Sequence, residues 1–162
     1  MIKLLQVTLG TILLISLFIL SATADTHKNI IKERKSLFQQ NYSHAKKMSS
    51  AIKKGDIDKV MNLSVKMSQN YEKLIDLFPD NSKSGYDTEA LPTIWIFKED
   101  FNSLMIESSI KAQKYADIAS TLLGEELKDE QKKLIWSSCK SCHDRFRMPH
   151  YCLLYTSPSP RD

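Results

Sequence analysis

Apolar side chains return every three or four positions through four separate stretches of this chain, and that period commits it to helices. In the first stretch Ile30, Arg34, Leu37, Phe38, Tyr42, Ala45, Met48 and Ile52 fall on one face, which matches the 3.6-residue turn and not the two-residue alternation of a strand. The segment "KKGD" closes it, with Lys53 and Lys54 in the last turn, Gly55 just past the end and Asp56 placed to cap the next helix. A second stripe runs from Val60 through Ser64, Met67, Tyr71 and Leu74 to Phe78 and stops at Pro79. The stretch "PDNSKSGYDTEALPTIW" then reads as a long connection. A third stripe runs from Phe101 through Met105, Ser108, Ala112 and Tyr115 to Leu122 and ends at Gly124. The fourth has Leu127, Gln131, Leu134, Ile135, Ser138, Cys142 and Phe146, with Glu125 and Glu126 at its start and Pro149 beyond its end. Two short turns and one long connection predict an all-α fold, an antiparallel four-helix bundle whose core can hold a cofactor between facing helices.

That cofactor is indicated by "CKSCHDRFR", residues 139–147, in the last stripe. A redox-active dithiol is expected at a helix start beside a βαβ pattern, whereas this pair lies deep in the last helix of an all-helical chain. Structural zinc needs four ligands, and His27, His44 and His150 show no paired spacing to complete the set. Covalent haem attachment needs nothing further. Thiols at i and i+3 share a helix face and can add across two vinyl groups, and His143 presents an imidazole to the iron. The expected cofactor is therefore haem c, held by Cys139 and Cys142 near the C-terminal helix, with His143 as the metal ligand.

Both ends of the chain stand apart from the bundle. The opening "MIKLLQVTLGTILLISLFILSATAD" has Lys3, an apolar run from Ile12 to Leu20 and a small-x-small pattern at Ala22 to Ala24. Residues 1–24 are thus expected to be an export signal, which places the mature protein in the periplasm, with no membrane attachment after cleavage. The closing "CLLYTSPSPRD", residues 152–162, has no helical period and can be spelled by a sequencing-library adapter. It is expected to be non-native, and Cys152 is expected not to be a ligand. Residues 25–151 remain as one domain. The formal charge of +4 falls to +3 without Lys3, and Arg161 and Asp162 cancel. With no Lys/Arg face standing out, nucleic acid is not an expected partner.

Taken together, the Arg in "KERKSLF", the "LFPDNSKSGYDTEALPTIW" connection and a C-terminal "SSCKSCHDRFR" resemble the cytochromes c′, the high-spin class II c-type cytochromes. The resemblance covers residues 25–147. It implies a four-helix bundle, often dimeric through its first two helices, with His143 as the only protein ligand and the other axial face open but crowded. It implies further that Arg34 approaches a haem propionate, that Trp95 packs near the haem and that Arg147 lines the proximal pocket. Arg147 also stands four residues after His143, on the same helix face. The position after Arg34, often Gln in the family, is Lys35 here. Phe38 takes the position of the distal residue, where a sister group of class II cytochromes places a Met that makes a six-coordinate electron carrier. Met48 is the next Met on that helix, ten residues on and therefore about 15 Å away at the helical rise. Met61, Met67 and Met105 follow the apolar stripes, as core residues do.

The coordination so implied predicts a non-enzymatic, five-coordinate haem protein that binds small diatomic gases, nitric oxide and carbon monoxide, with a bearing on nitric oxide tolerance. The alternative is a periplasmic electron-transfer cytochrome with its own redox partner. A peroxidase or nitric oxide reductase activity would call for a His, Arg or Glu on the distal side, and no residue is identified for that work.

Overall fold

Gly55 ends the first long helix as "KKGD" predicts. The computed structural model describes residues 2–149, with side chains from His27 onward. The expected signal segment 1–24 lies outside the described side chains, and the tail 152–162 lies outside the described residues altogether. Helix α1 (Ile2–Lys54) closes with Gly55 at φ +69°, where the Gly55 and Asp56 amides reach back to the Ile52 and Ala51 carbonyls at 3.1 and 3.0 Å. That pair of bonds satisfies carbonyls the helix end would leave open. Asp56 then caps α2 (Ile57–Leu74), accepting from the Lys59 amide at 3.2 Å, so the chain reverses direction within two residues.

Helix α2 lies between α1 and the longest downstream helix, and it packs most extensively against those two. A 3₁₀ turn (Ile75–Leu77) follows it and ends the regular structure before Phe78 and Pro79. The long connection holds a second 3₁₀ turn (Asp80–Ser82) and a short helix α3 (Thr93–Ile96), then enters α4 (Lys98–Ile118). Serines bring α2 and α4 close together: Ser64 Oγ donates to the Ala112 carbonyl at 2.7 Å, and the Ser68 and Ser109 hydroxyls meet at 2.9 Å. Ser64, Ser68 and Ser109 are all buried. Their small volume permits the approach, and the named bonds offset the cost of burying their hydroxyls.

The fourth stripe is not one unbroken α-helix. It forms α5 (Gly124–Gln131), a π-helical turn (Lys132–Trp136) and α6 (Ser137–Phe146). Gln131, almost fully buried, joins this segment to α1 by donating to the Ala45 carbonyl at 2.9 Å and accepting from Ser49 at 2.9 Å. The core between the helices is built from Met48, Val60, Met67, Leu74, Met105, Tyr115 and Leu127. Complete burial of one such apolar side chain contributes about 1.5–3 kcal/mol. Among the described residues the only β pairing is an isolated bridge between Ala90 and Arg147.

Candidate functional site

Cys139 and Cys142 stand one turn apart on α6, Cys142 buried and Cys139 half-buried, both as free thiols. Burial pushes the Cys142 thiol up to about 12, with Cys139 adding to the rise. It also raises Cys139, an effect only partly opposed by the Tyr71 hydroxyl 3.8 Å from its sulfur. A redox dithiol or a thiolate nucleophile needs the opposite shift. Among the described residues, no three His, Cys, Asp or Glu side chains converge as a metal cage. His143 follows Cys142 directly and is exposed on the same helix.

Arg34, on α1, is only 2% exposed. Its Nη1 donates to Ser82 Oγ at 2.9 Å and to the Leu77 carbonyl at 3.3 Å, and its Nη2 donates to the Ser82 carbonyl at 3.0 Å and to Thr88 Oγ1 at 2.7 Å. Its guanidinium also lies 4.6 Å from the centre of the Phe78 ring and 5.7 Å from that of Trp95. None of these groups is a carboxylate, and burial alone pulls the Arg34 pKa down to about 10. Thr88 is held to this task by a left-handed stretch, with Gly85 at φ +90° and Tyr86 and Asp87 at φ 51° and 53°. Such φ values are unusual for side chains of this kind.

Phe38 lies one turn beyond Arg34 and is half-buried, its ring edge-on to Phe78 at 6.4 Å. Phe78 is the hub of the aromatic set. It stacks edge-on with Phe101 at 4.6 Å and lies tilted against Trp95 at 5.9 Å, while Phe101 meets Phe146 of α6 at 5.4 Å. Trp95 is half-buried, and its indole N–H donates to the Phe78 and Pro79 carbonyls at 3.0 and 3.1 Å. Arg34, Phe38 and Trp95 are therefore brought to one region around Phe78.

Arg147 is placed differently from the helical expectation. Helix α6 ends at Phe146, and Arg147 is the extended residue that caps it, although its amide still reaches the His143 carbonyl at 3.3 Å. Its Nε and Nη2 hold Glu89 Oε2 at 2.7 and 2.6 Å. The Leu91 amide donates to the Phe146 carbonyl at 3.0 Å, the Met148 amide to the Glu89 carbonyl at 2.8 Å and Thr93 Oγ1 to the Arg145 carbonyl at 3.0 Å. These bonds lace the long connection to the end of α6, and the pull of that lacing is why the helix stops before Arg147.

Several residues of this region escaped the sequence reading. Ser82 and Thr88 sit in a polar loop that gives no period to read. Phe78, Phe101 and Phe146 fall on the apolar stripes, and a stripe carries no sign of their mutual contacts. Asn41 was legible in principle, because an Asn three residues after Phe38 falls on the apolar stripe of α1. It is 2% exposed, its Oδ1 accepts from Asn70 at 2.9 Å, and its buried Nδ2 has no hydrogen-bond partner. Two thiols one turn apart, an adjacent imidazole, a buried guanidinium without a carboxylate and an orphaned amide suit a flat, carboxylate-bearing macrocycle such as haem.

The chain is similar in sequence and in fold to known proteins. A family model described as Cytochrome C' matches residues 29–147. A cytochrome c' of Rhodopseudomonas palustris is 31% identical over 135 residues, which cover 78% of this chain and 87% of that protein. The solved cytochrome c' structure from the same species superimposes with a TM-score of 0.65 at 32% identity, covering 75% of this chain and 98% of that one. Cytochrome c prime from Shewanella frigidimarina gives a TM-score of 0.65 at 25% identity, covering 76% and 97%.

Proposed function

The chain belongs to the cytochrome c′ family, and on that premise we propose that it is a periplasmic haem c protein that binds nitric oxide and carbon monoxide on an open face of the iron. When bound, the haem supplies an iron with one protein ligand and one coordination position for a gas. Cys139 and Cys142 would hold it through thioethers, and His143 would supply the protein's ligand to the iron. The spacing of the two cysteines supports this role, because thiols one turn apart on α6 share a helix face. Arg34 pairs with a propionate. A guanidinium desolvated among neutral oxygens gains most from a charge-assisted bond to a carboxylate. Arg147, fastened to Glu89, fixes the end of α6 behind His143.

The observation that carries gas binding over electron transfer is Phe38. Its ring is half-buried on the α1 face one turn from Arg34, where the electron carriers of class II have a Met. A phenyl ring offers no lone pair to iron and disfavours water or anions, which want a polar partner, while a small neutral gas needs only room. The reading extends to a homodimer through α1 and α2 and to tolerance of nitric oxide as the biological setting.

Periplasmically matured protein should keep its haem through denaturing electrophoresis, and Cys139→Ser with Cys142→Ser should abolish this. The ferrous protein should be high-spin and take up carbon monoxide. Phe38→Ala should speed that uptake and admit water or small anions to the ferric form, and Phe38→Met should push the spectrum toward low spin. Because Phe38 is only half-buried, Phe38→Ala should cost less than the roughly 3–5 kcal/mol of a fully buried phenylalanine. A ferrous protein that is already low-spin, with carbon monoxide binding unaltered by Phe38→Ala, returns the assignment to electron transfer.

A further inference from the structure

We infer that Asn41 is a specificity-determining residue: its side-chain amide donates a hydrogen bond to the diatomic ligand, so the gas site is not purely apolar. This rests on the reading that Cys139, Cys142 and His143 hold the haem and that Phe38 stands on its open face.

One buried donor in the region has no partner. Asn41 is 2% exposed and its Nδ2 has no partner, whereas its Oδ1 is fixed by Asn70 Nδ2 at 2.9 Å. Asn70 is itself buried, so the carboxamide is clamped at its oxygen end and its N–H groups are aimed, not left to rotate. Buried donors without partners are rare, and each is costly to keep. The direction of aim follows from neighbours. Asn41 follows Phe38 by three residues on α1, which is one turn and about 4.5 Å along the axis. On the other side is Tyr71, whose hydroxyl reaches Cys139 Sγ at 3.8 Å. The Asn41 amide lies near enough to Tyr71 to oppose the rise that burial gives the phenol pKa, yet its Nδ2 is not in hydrogen-bond geometry with it. The orphaned donor thus sits between the ring expected over the iron and the sulfur expected to anchor the porphyrin edge.

An amide in that place changes selectivity. Sterics from Phe38 admit any small gas, but a donor favours ligands that gather negative charge on their outer atom. It has no titratable proton, so it supplies polarity without acid–base chemistry.

The test uses the full, periplasmically matured chain in the ferrous state with carbon monoxide as the probe. The infrared C–O stretch should be lowered and should move on transfer from H₂O to D₂O. Asn41→Leu should raise the stretch, abolish the deuterium shift and release carbon monoxide about two- to tenfold faster, the factor that one net interior hydrogen bond corresponds to. Asn41→Met serves where Asn41→Leu does not mature, and the deuterium shift of the unmutated protein needs no variant. Asn70→Leu, which frees the clamped oxygen, should give a smaller change in the same direction. Carbon monoxide binding with no deuterium shift, and a stretch unaltered by Asn41→Leu, overturns the inference and leaves gas binding intact. A ferrous protein that takes up no carbon monoxide overturns both.

Discussion

Arg34 brings a full charge into the molecule and meets only neutral oxygens and ring faces there. If a propionate is its missing partner, the cost of removing the guanidinium depends on whether haem is attached. Arg34→Met should destabilise the matured protein by about 1.5–3 kcal/mol more than it destabilises the Cys139→Ser, Cys142→Ser chain, the difference being the charge-assisted bond. Urea unfolding of the four proteins measures it; equal costs would mean that Arg34 serves only Ser82 and Thr88. His44 carries a buried polar atom without a hydrogen-bond partner, its Nδ1, and burial, then Lys47 and Lys66, hold the ring's pKa below the ordinary histidine value. The folded state therefore disfavours the protonated ring. Its contribution is fully present above about pH 6.5 and is lost as pH falls from there through the lowered folded value. Thermal unfolding of His44→Gln should show a flatter pH dependence over that window than the unmutated protein does.

Helix α1 from His27 onward, α2 and α4 were legible because each keeps an apolar face in phase, and the turn between the first two is written in Gly55 and Asp56. The π turn was not legible, and the reason is geometric. Leu127 and Phe146 are both buried although they lie 19 positions apart, and in an unbroken α-helix that separation leaves them about 100° apart. The wider turn over Lys132–Trp136 absorbs the excess, so α5 and α6 both face the core and Cys142 turns inward. A stripe read by three- and four-residue steps accepts either solution. Deleting the exposed Lys133 should let the segment close as a continuous α-helix with its face in register, and haem attachment should survive. Inserting one Ala after Ser137 adds about 100° of rotation and should abolish attachment. The haem stain after denaturing electrophoresis separates the two, and equal loss in both variants would remove the phasing role from the π turn.

Across the whole molecule, the site draws on all parts of the chain: α1 gives Arg34, Phe38 and Asn41, α2 gives Tyr71, the long connection gives Thr88 and Trp95, and α6 gives the cysteines. Only the "CKSCH" cluster announced its chemistry locally. Arg34, Phe38 and Trp95 became readable through resemblance, and Ser82 and Thr88 through the fold alone, because loop contacts follow no period. An α1–α2 dimer would need an apolar face there, and among the described residues the exposed large hydrophobic one on α1 is Tyr42, 57% exposed, edge-on to Trp136 at 6.3 Å with the Lys46 ammonium 5.3 Å from its ring centre. Helix α4 presents a rival face, with Ile106 and Ile110 one turn apart at 49% and 61% exposure. Tyrosine is among the residues that anchor interfaces, since its ring adds apolar area and its hydroxyl stays paired. If the subunits meet through α1 and α2, Tyr42→Glu should weaken the dimer at least tenfold, about 1.4 kcal/mol, in sedimentation equilibrium, and Ile110→Glu should leave it unchanged. The reverse pattern places the contact on α4, and a monomer at every concentration removes the dimer from the reading.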